Sequence, residues 1–435
     1  MRAAACLLTI LVLLLAVNPV HAQQSPSTAE YCGDCHREIF EGWKQSAHAA
    51  AMESRLFQDA LKMASAEFGE EGRKTCLGCH SPVGVMVEDF SLVRKVSWEG
   101  ITCDYCHSIR DVTISGGNPK ARVEFSEVKS GPSKEAISPA HGTVFSKVHT
   151  TSQACISCHE YRNALGFAVL TTYAEWKDST YPKEGKQCQS CHMLTVRGAV
   201  VDPRVKRASQ DEINLHQMPG SRSVDQLNKA IRATLTAERK GDKLEVIVKV
   251  TNSGAGHFVP TGSPLRQLIL EVRAEPYGAP SSREQRVYMR RVADQKGAPV
   301  EREHFAFLRG AKVLEDTRLA PKETRSEKFV FPVPQGKQAR VTADFSYYYS
   351  PMASTAAQQK VKFLAISRLV QLRPGAARRS ISYFPPDLYH GYTGLGSVAI
   401  LTFRAQGEED AGHNSRFPRR FVRQKSFRQP GHVER

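Results

Sequence analysis

The sequence predicts an α+β chain: a mostly helical, loop-rich N-terminal region followed by an all-β, sandwich-like region. Three observations carry this. Short helical patterns joined by loops occupy residues from about 30 to 220. Every cysteine except Cys6 lies in that stretch, in closely spaced pairs. From about residue 230 the hydrophobic period falls to two and cysteine disappears. The boundaries expected are 1–22 for a leader, 23–220 for the cysteine-bearing domain, 221–372 for the β-domain and 373–435 for a C-terminal extension.

The leader has the parts of a secretory signal peptide. Arg2 supplies the positive end, Ala3 to Val17 is apolar, and Val20, His21 and Ala22 precede a cleavage point at Gln23. That apolar run is too short for a stable bilayer span and no later stretch is long enough, so no membrane span is expected in the mature protein. Cleavage removes Cys6 and leaves ten of the 11 cysteines.

In the first domain the best helix runs from about Glu53 to Phe68. It places Leu56, Phe57, Ala60, Leu61 and Ala64 on one face, with Gly69 at its end. The ten cysteines of this domain make five copies of Cys-x-x-Cys-His. These are Cys32, Cys35 and His36; Cys76, Cys79 and His80; Cys103, Cys106 and His107; Cys155, Cys158 and His159; and Cys188, Cys191 and His192. Two thiols three residues apart can each add to one vinyl group on the edge of a haem, and the adjacent histidine then reaches the iron from one face. With 11 Cys and 15 His in 435 residues, chance would supply roughly 0.01 such motifs.

Zinc sites and thioredoxin-like centres also use Cys-x-x-Cys pairs. They do not demand histidine at the next position of every pair, and an odd number of pairs does not divide into four-ligand sets. The cofactors expected are five covalent haems c, with His36, His80, His107, His159 and His192 as proximal ligands. Haem attachment consumes all ten cysteines and leaves none for disulfides. It occurs outside the energised membrane, which agrees with export to the periplasm of a Gram-negative cell, or beyond it to the cell exterior.

The formal charge is +16, and loss of Arg2 makes it +15. Five ferric haems with two propionates each would lower it to about +10, with part of the Lys/Arg excess pairing with propionates. An exported basic protein points away from nucleic acid and toward an acidic redox partner or an anionic surface.

The far face of each iron decides between carrying and catalysing. A second side chain makes the haem low-spin and suited to electron transfer, whereas an open face can bind a small molecule. Five histidines beyond the proximal set lie in or just after the haem region: His48, His141, His149, His216 and His257. His48 follows Trp43, His141 and His149 bracket Gly142 to Val148, and His216 precedes Met218-Pro219-Gly220. His257 sits in the loop Gly254-Ala255-Gly256-His257-Phe258-Val259-Pro260-Thr261-Gly262, whose glycines permit close approach to a flat ligand. Met52, Met86, Met193 and Met218 are weaker sixth-ligand candidates, because methionine is more often packing.

In the β-domain, Leu244, Val246, Val248 and Val250 alternate with Glu245, Ile247, Lys249 and Thr251. Leu268, Leu270 and Val272 repeat the pattern, as do Val341, Ala343, Phe345 and Tyr347. Lys328–Val333, Val361–Leu369 and Ser397–Phe403 are further strand candidates, and Gly/Pro turns between such strands suggest a sandwich. From about Arg404 the chain has little periodicity and many arginines, and reads as a disordered basic tail.

Several segments carry a resemblance to one family. Cys32 to His48 (with Trp43, Ser46 and Ala47) resembles the start of multihaem cytochromes of the cytochrome c-554 type. So do Gly100 to His107, Ser138 through His149 to His159, Tyr173 to Met193, and the loop from Gly256 to Gly262. The resemblance covers most of residues 30–275. It implies a periplasmic electron carrier, sixth ligands from His48, His141 and His149, and haems packed in near-parallel and near-perpendicular pairs. The chain departs from cytochrome c-554 in having five motifs against that protein's four haems, so ligand pairing does not transfer.

The expected function is therefore electron transfer between redox proteins, from a membrane quinol-oxidising donor to a reductase or outer-membrane acceptor, with all five irons six-coordinate. The alternative is a reductase or oxidase of a small nitrogen or sulfur compound (nitrite, hydroxylamine, tetrathionate) at one open-faced haem. The absence of a Cys-x-x-Cys-Lys motif weakens a pentahaem nitrite reductase of that kind. A third reading makes the β-domain or tail an assembly surface for a haem filament. A covering role over exposed haem edges is the simpler account of that domain.

Overall fold

Each Cys-x-x-Cys-His motif folds into or beside a turn of helix, because a helix brings residues three apart onto one face. A computed structural model describes residues 24–371, apart from 116, 206–210, 335–337, 354 and 356–358. The leader, the Ser397–Phe403 strand candidate and the basic tail lie outside the described residues. Four motifs lie in the helices Arg55–His80, Cys103–His107, Gln153–His159 and Cys188–His192. The first begins in the helix Ala29–Gly33, and His36 then caps the helix Arg37–Lys44.

The long helix corrects the boundary expected near Phe68. Ser54 caps its start by accepting a hydrogen bond from the Phe57 amide. At Gly69 (φ 58°, ψ −138°) the backbone leaves the helical region, and helix resumes through Cys76 to His80. Gly69 therefore ends the first segment, as its sequence suggests, but serves as a kink rather than a stop.

The haem region also holds strands that its short, polar segments gave no sign of. Among the described residues four two-stranded ladders occur: β1 (Ile109–Ser115) with β2 (Asn118–Val123), β3 (Val128–Gly131) with β4 (Gly142–Phe145), β5 (Glu160–Arg162) with β6 (Ala168–Thr171), and β7 (Thr195–Gly198) with β8 (Asp211–Asn214). Only β3–β4 is parallel. The apolar clusters of this region are small, one around Tyr105, Ile109 and Ile156 and one around Met52, Phe57 and Leu77.

The helix Val224–Ala230 leads into two antiparallel sheets. One has the order β14 (Thr324–Pro332), β10 (Lys243–Asn252), β9 (Ile231–Lys240). The other runs β13 (Lys312–Asp316), β12 (Ser282–Ala293), β11 (Gln267–Pro276), β15 (Ala339–Tyr348), β16 (Lys360–Val370). Leu244, Val246, Val248 and Val250 of β10 meet Leu268, Leu270 and Val272 of β11 and Val341, Ala343 and Phe345 of β15, all fully buried. The α+β order, helical first and β-rich after, is thus as the sequence predicts.

The haem region is fastened to the sheets by polar contacts. Asn163 donates to the Gly310 carbonyl at 2.7 Å, and Arg290 of β12 donates to the Ala168 carbonyl at 2.7 Å. Arg302 pairs with Glu67 at 2.6 Å, and Phe68 meets Phe305 edge to face.

Candidate functional site

None of the ten motif cysteines is in a disulfide among the described residues, and cysteines of different motifs lie near one another. Cys32 lies near enough to Cys103, Cys79 to Cys158 and Cys155 to Cys188 for each pair to perturb one another's acidity. Haems attached at both members of such a pair would have neighbouring edges, because the thioether sulfurs sit on the macrocycle's rim.

The proximal histidines are oriented by backbone. Nδ1 of His36 is 2.7 Å from the Val200 carbonyl, that of His107 is 2.7 Å from Ser130, and that of His80 is 3.3 Å from Ala51. A carbonyl on Nδ1 fixes the tautomer that turns Nε2 toward a metal. Burial holds His48, His80 and His107 neutral, each pushed down to about 4. Neutral imidazole is the iron-binding form.

The distal candidates are tested by span. Two imidazoles bound at about 2 Å on opposite faces of one iron hold their ring centres roughly 6 Å apart. His36 and His141 are 6.2 Å apart, His159 and His48 6.3 Å, and His192 and His257 6.3 Å. His107 has His216 at 6.2 Å and His149 at 5.5 Å. His141, His216 and His257 each place Nδ1 on a backbone carbonyl, of Gly142, Asn214 and Phe258 respectively. His149 does the reverse: its Nε2 is 2.8 Å from the Cys106 carbonyl while Nδ1 is buried without a partner.

Five distal candidates therefore do not distribute one to each haem. Two converge on His107, and none stands opposite His80. The ring of Phe57 instead stacks on His80 at 3.7 Å. Met52 is fully buried with Phe57 and Leu77 beside it, where its thioether packs in an apolar cluster.

The loop of His257 is held by residues that the sequence reading passed over as site residues. Buried Glu175 accepts from the Phe258 amide at 3.1 Å and from the Thr261 hydroxyl at 2.8 Å, and pairs with Arg318 at 2.6 Å. Burial raises the Glu175 carboxyl, but Arg318, Thr171 and Thr261 outweigh it and hold the group below the usual carboxylate range. A Cβ on Gly256 would lie 2.9 Å from the Tyr181 ring, so glycine is required for the loop to tuck in. The only signal of this lock in the sequence was the position of Glu175 in the Tyr173–Trp176 segment of the resemblance.

Repeated haem-attachment motifs, imidazole pairs at the trans span and a helical region backed by sheets are features similar to those of multihaem c-type cytochromes. Residues 31–108 match the family described as cytochrome c554 and c-prime. The fold is similar to that of a penta-heme cytochrome c552 from Thermochromatium tepidum, with a TM-score of 0.64 and 22% identity, covering 80% of this chain and 99% of that chain. No curated protein gives a match. The resemblance to the cytochrome c554 family read from the sequence is matched over residues 31–108, and the cofactor that it implies is haem c.

Proposed function

We propose that this chain is a periplasmic electron carrier with five covalent haems c, four of them ligated by two histidines. The observation that carries the reading is the set of four imidazole pairs at 6.2–6.3 Å. The pairs are His36 with His141, His107 with His216, His159 with His48, and His192 with His257. The neighbouring cysteines support a path joining the first motif to the third and the second to the fourth and fifth. Cys158 also lies close enough to Cys106 to raise its pKa beyond the larger effect of burial, which supports a link from third to fourth. The haem of the second motif then ends a branch.

Export rests on the leader read from the sequence. Among the described residues no helix is long and apolar enough to cross a membrane. The partners proposed are redox proteins: a quinol-oxidising donor in the membrane, and a reductase or outer-membrane acceptor. A second reading is favoured by the fact that, among the described residues, no histidine ring stands at the trans span from His80. The haem there has an open face, and a small nitrogen or sulfur compound binds to it.

Low-temperature EPR of the oxidised holoprotein, quantified against total haem, tests both readings. Four low-spin haems and one high-spin haem are expected. Five low-spin haems would remove the open face, and two or more high-spin haems would overturn the ligand pairs. His216→Ala should add one high-spin haem, whereas His149→Ala should leave the spin count unchanged.

A further inference from the structure

The path proposed through the motifs has two outer ends, one at Cys32 and Cys35 and one at Cys188 and Cys191. They differ in exposure and in charge. Cys191 is exposed, whereas the other nine motif cysteines, which serve the same kind of attachment, are each only partly exposed. The chain around it also lies at the surface. Lys183 to Lys186 and Ser190 to His192 are exposed, and the apolar side chain of Leu194 is 54% exposed.

Cations gather round this end. Lys186 and Lys322 both lie over the Tyr181 ring, at 5.3 Å and 4.7 Å from its centre. That ring packs against Gly256 of the His257 loop, and the Lys322 ammonium donates to the Ser253 carbonyl at 3.3 Å. Lys229 lies in the last turn of the helix Val224–Ala230, whose Gln226 donates to the Cys191 carbonyl at 3.0 Å. Lys186 pairs with Glu184 at 2.7 Å. Among the described residues no carboxylate forms an ion pair with Lys183, Lys229 or Lys322, all of them exposed. With exposed Lys177 and Arg197 near in the chain, cations outnumber the local carboxylates Asp178, Glu184 and Asp225. The other end reverses this balance: the hollow beside Cys32 and Cys35 is lined by Glu30, Asp34 and Glu41 against Arg37.

We propose that the exposed face around Cys191, Leu194 and Lys229 is the docking surface for a redox protein whose own centre sits behind an acidic patch. The inference rests on the carrier reading and adds to it the end at which that partner exchanges electrons. An acidic surface is drawn to this end and repelled from the other, so charge selects the docking end before contact is made. Leu194 and Val224, the latter 39% exposed, then supply apolar contact inside a charged rim. An anionic lipid surface is the competing occupant. The interspersed carboxylates favour a protein, because mixed signs fix the orientation of a patterned partner but weaken adhesion to a uniformly negative bilayer.

The test is stopped-flow reduction of the ferric holoprotein by reduced plant-type ferredoxin, an acidic electron-transfer protein. Lys183→Glu/Lys229→Glu reverses two exposed charges at the proposed surface. Lys240→Glu/Lys243→Glu makes the same change in net charge at the end of β10 away from the His257 loop. At low ionic strength the bimolecular rate should fall about 5- to 20-fold in the first variant and less than about twofold in the second. The difference should fade as salt is raised to about 0.5 M. Equal rates in the two variants would overturn the docking surface. An unchanged ferredoxin rate, with lost binding to phosphatidylglycerol–phosphatidylcholine vesicles in the first variant, would overturn it in favour of lipid. The carrier reading fails separately: sodium dithionite should reduce all five haems in each sample, and an unreduced haem would overturn that reading whatever the ferredoxin rates.

Discussion

The haem-bearing region and the sheets are held together by different means. In the sheets, three strands alone contribute Leu244, Val246, Val248, Val250, Leu268, Leu270, Val272, Val341, Ala343 and Phe345 to one interior, all fully buried. Burial at that density supplies stability without help. The haem region has small apolar clusters, polar two-stranded ladders and ten cysteines in five closely spaced pairs. On the proposed attachment of five haems, flat cofactors fill this interior and its order depends on them. One region folds around its own side chains, the other around its ligands.

The sharpest way to break this contrast is to remove a cofactor. Replacing Cys155 and Cys158 with Ala removes attachment at the motif whose cysteines lie near those of both the second and the fifth. The haem region should lose protease resistance throughout while fragments containing β9–β16 survive, as read by limited proteolysis and mass spectrometry. Equal digestion of both regions would show that the sheets also depend on haem.

A smaller effect is expected from the opposite experiment. Phe345→Ala in β15 should cost about 3–5 kcal/mol of sheet stability through a cavity that rigid strands cannot close. Optical spectra of the haems should barely change. A shift of the haem bands at temperatures below the sheet transition would show the two regions melting together.

The smallest of the three probes the seam between regions. Glu175→Gln leaves Arg318 with Asp316 as its remaining carboxylate partner at 2.8 Å. The expected cost is about 2–3 kcal/mol, because half of a buried charge network is lost. It should also loosen the His257 loop, seen as a broadened low-spin EPR signal from one haem. The pH dependence has a defined sign. The folded-state carboxyl of Glu175 is depressed, so its contribution is complete above the unfolded value of about 4.3 and is lost as pH falls through the lower folded one. Glu175→Gln should therefore remove part of the acid sensitivity of the unsubstituted protein, checked by stability curves between about pH 3 and 7.

How much of this was legible depends on the range of the interaction. Strands β10, β11 and β15 were legible because large β-branched and aromatic residues alternate along them. Strand β9 was not: its inward set is Ile231, Ala233, Leu235 and Ala237, and two alanines weaken the period-two signal. Strand β12 hides behind Arg283, Glu284, Gln285 and Arg286, four polar residues in a row that break the period-two signal on both faces. The kinked continuation past Gly69 was invisible because glycine is an ordinary helix terminator, and only packing decides whether helix resumes.

The sequence by itself determined the chemistry of attachment. Cys-x-x-Cys-His is a covalent and local pattern, complete within five residues, so its meaning survives without a fold. It also determined the order of regions, since hydrophobic period is a property of neighbouring residues. Only the tertiary structure decided which imidazole faces which. His149 and His216 are 67 residues apart in number yet both converge on His107, while His80 stacks on Phe57. Trans ligation joins side chains across an iron, and nothing in the spacing of two histidines records the distance between them once the chain has folded.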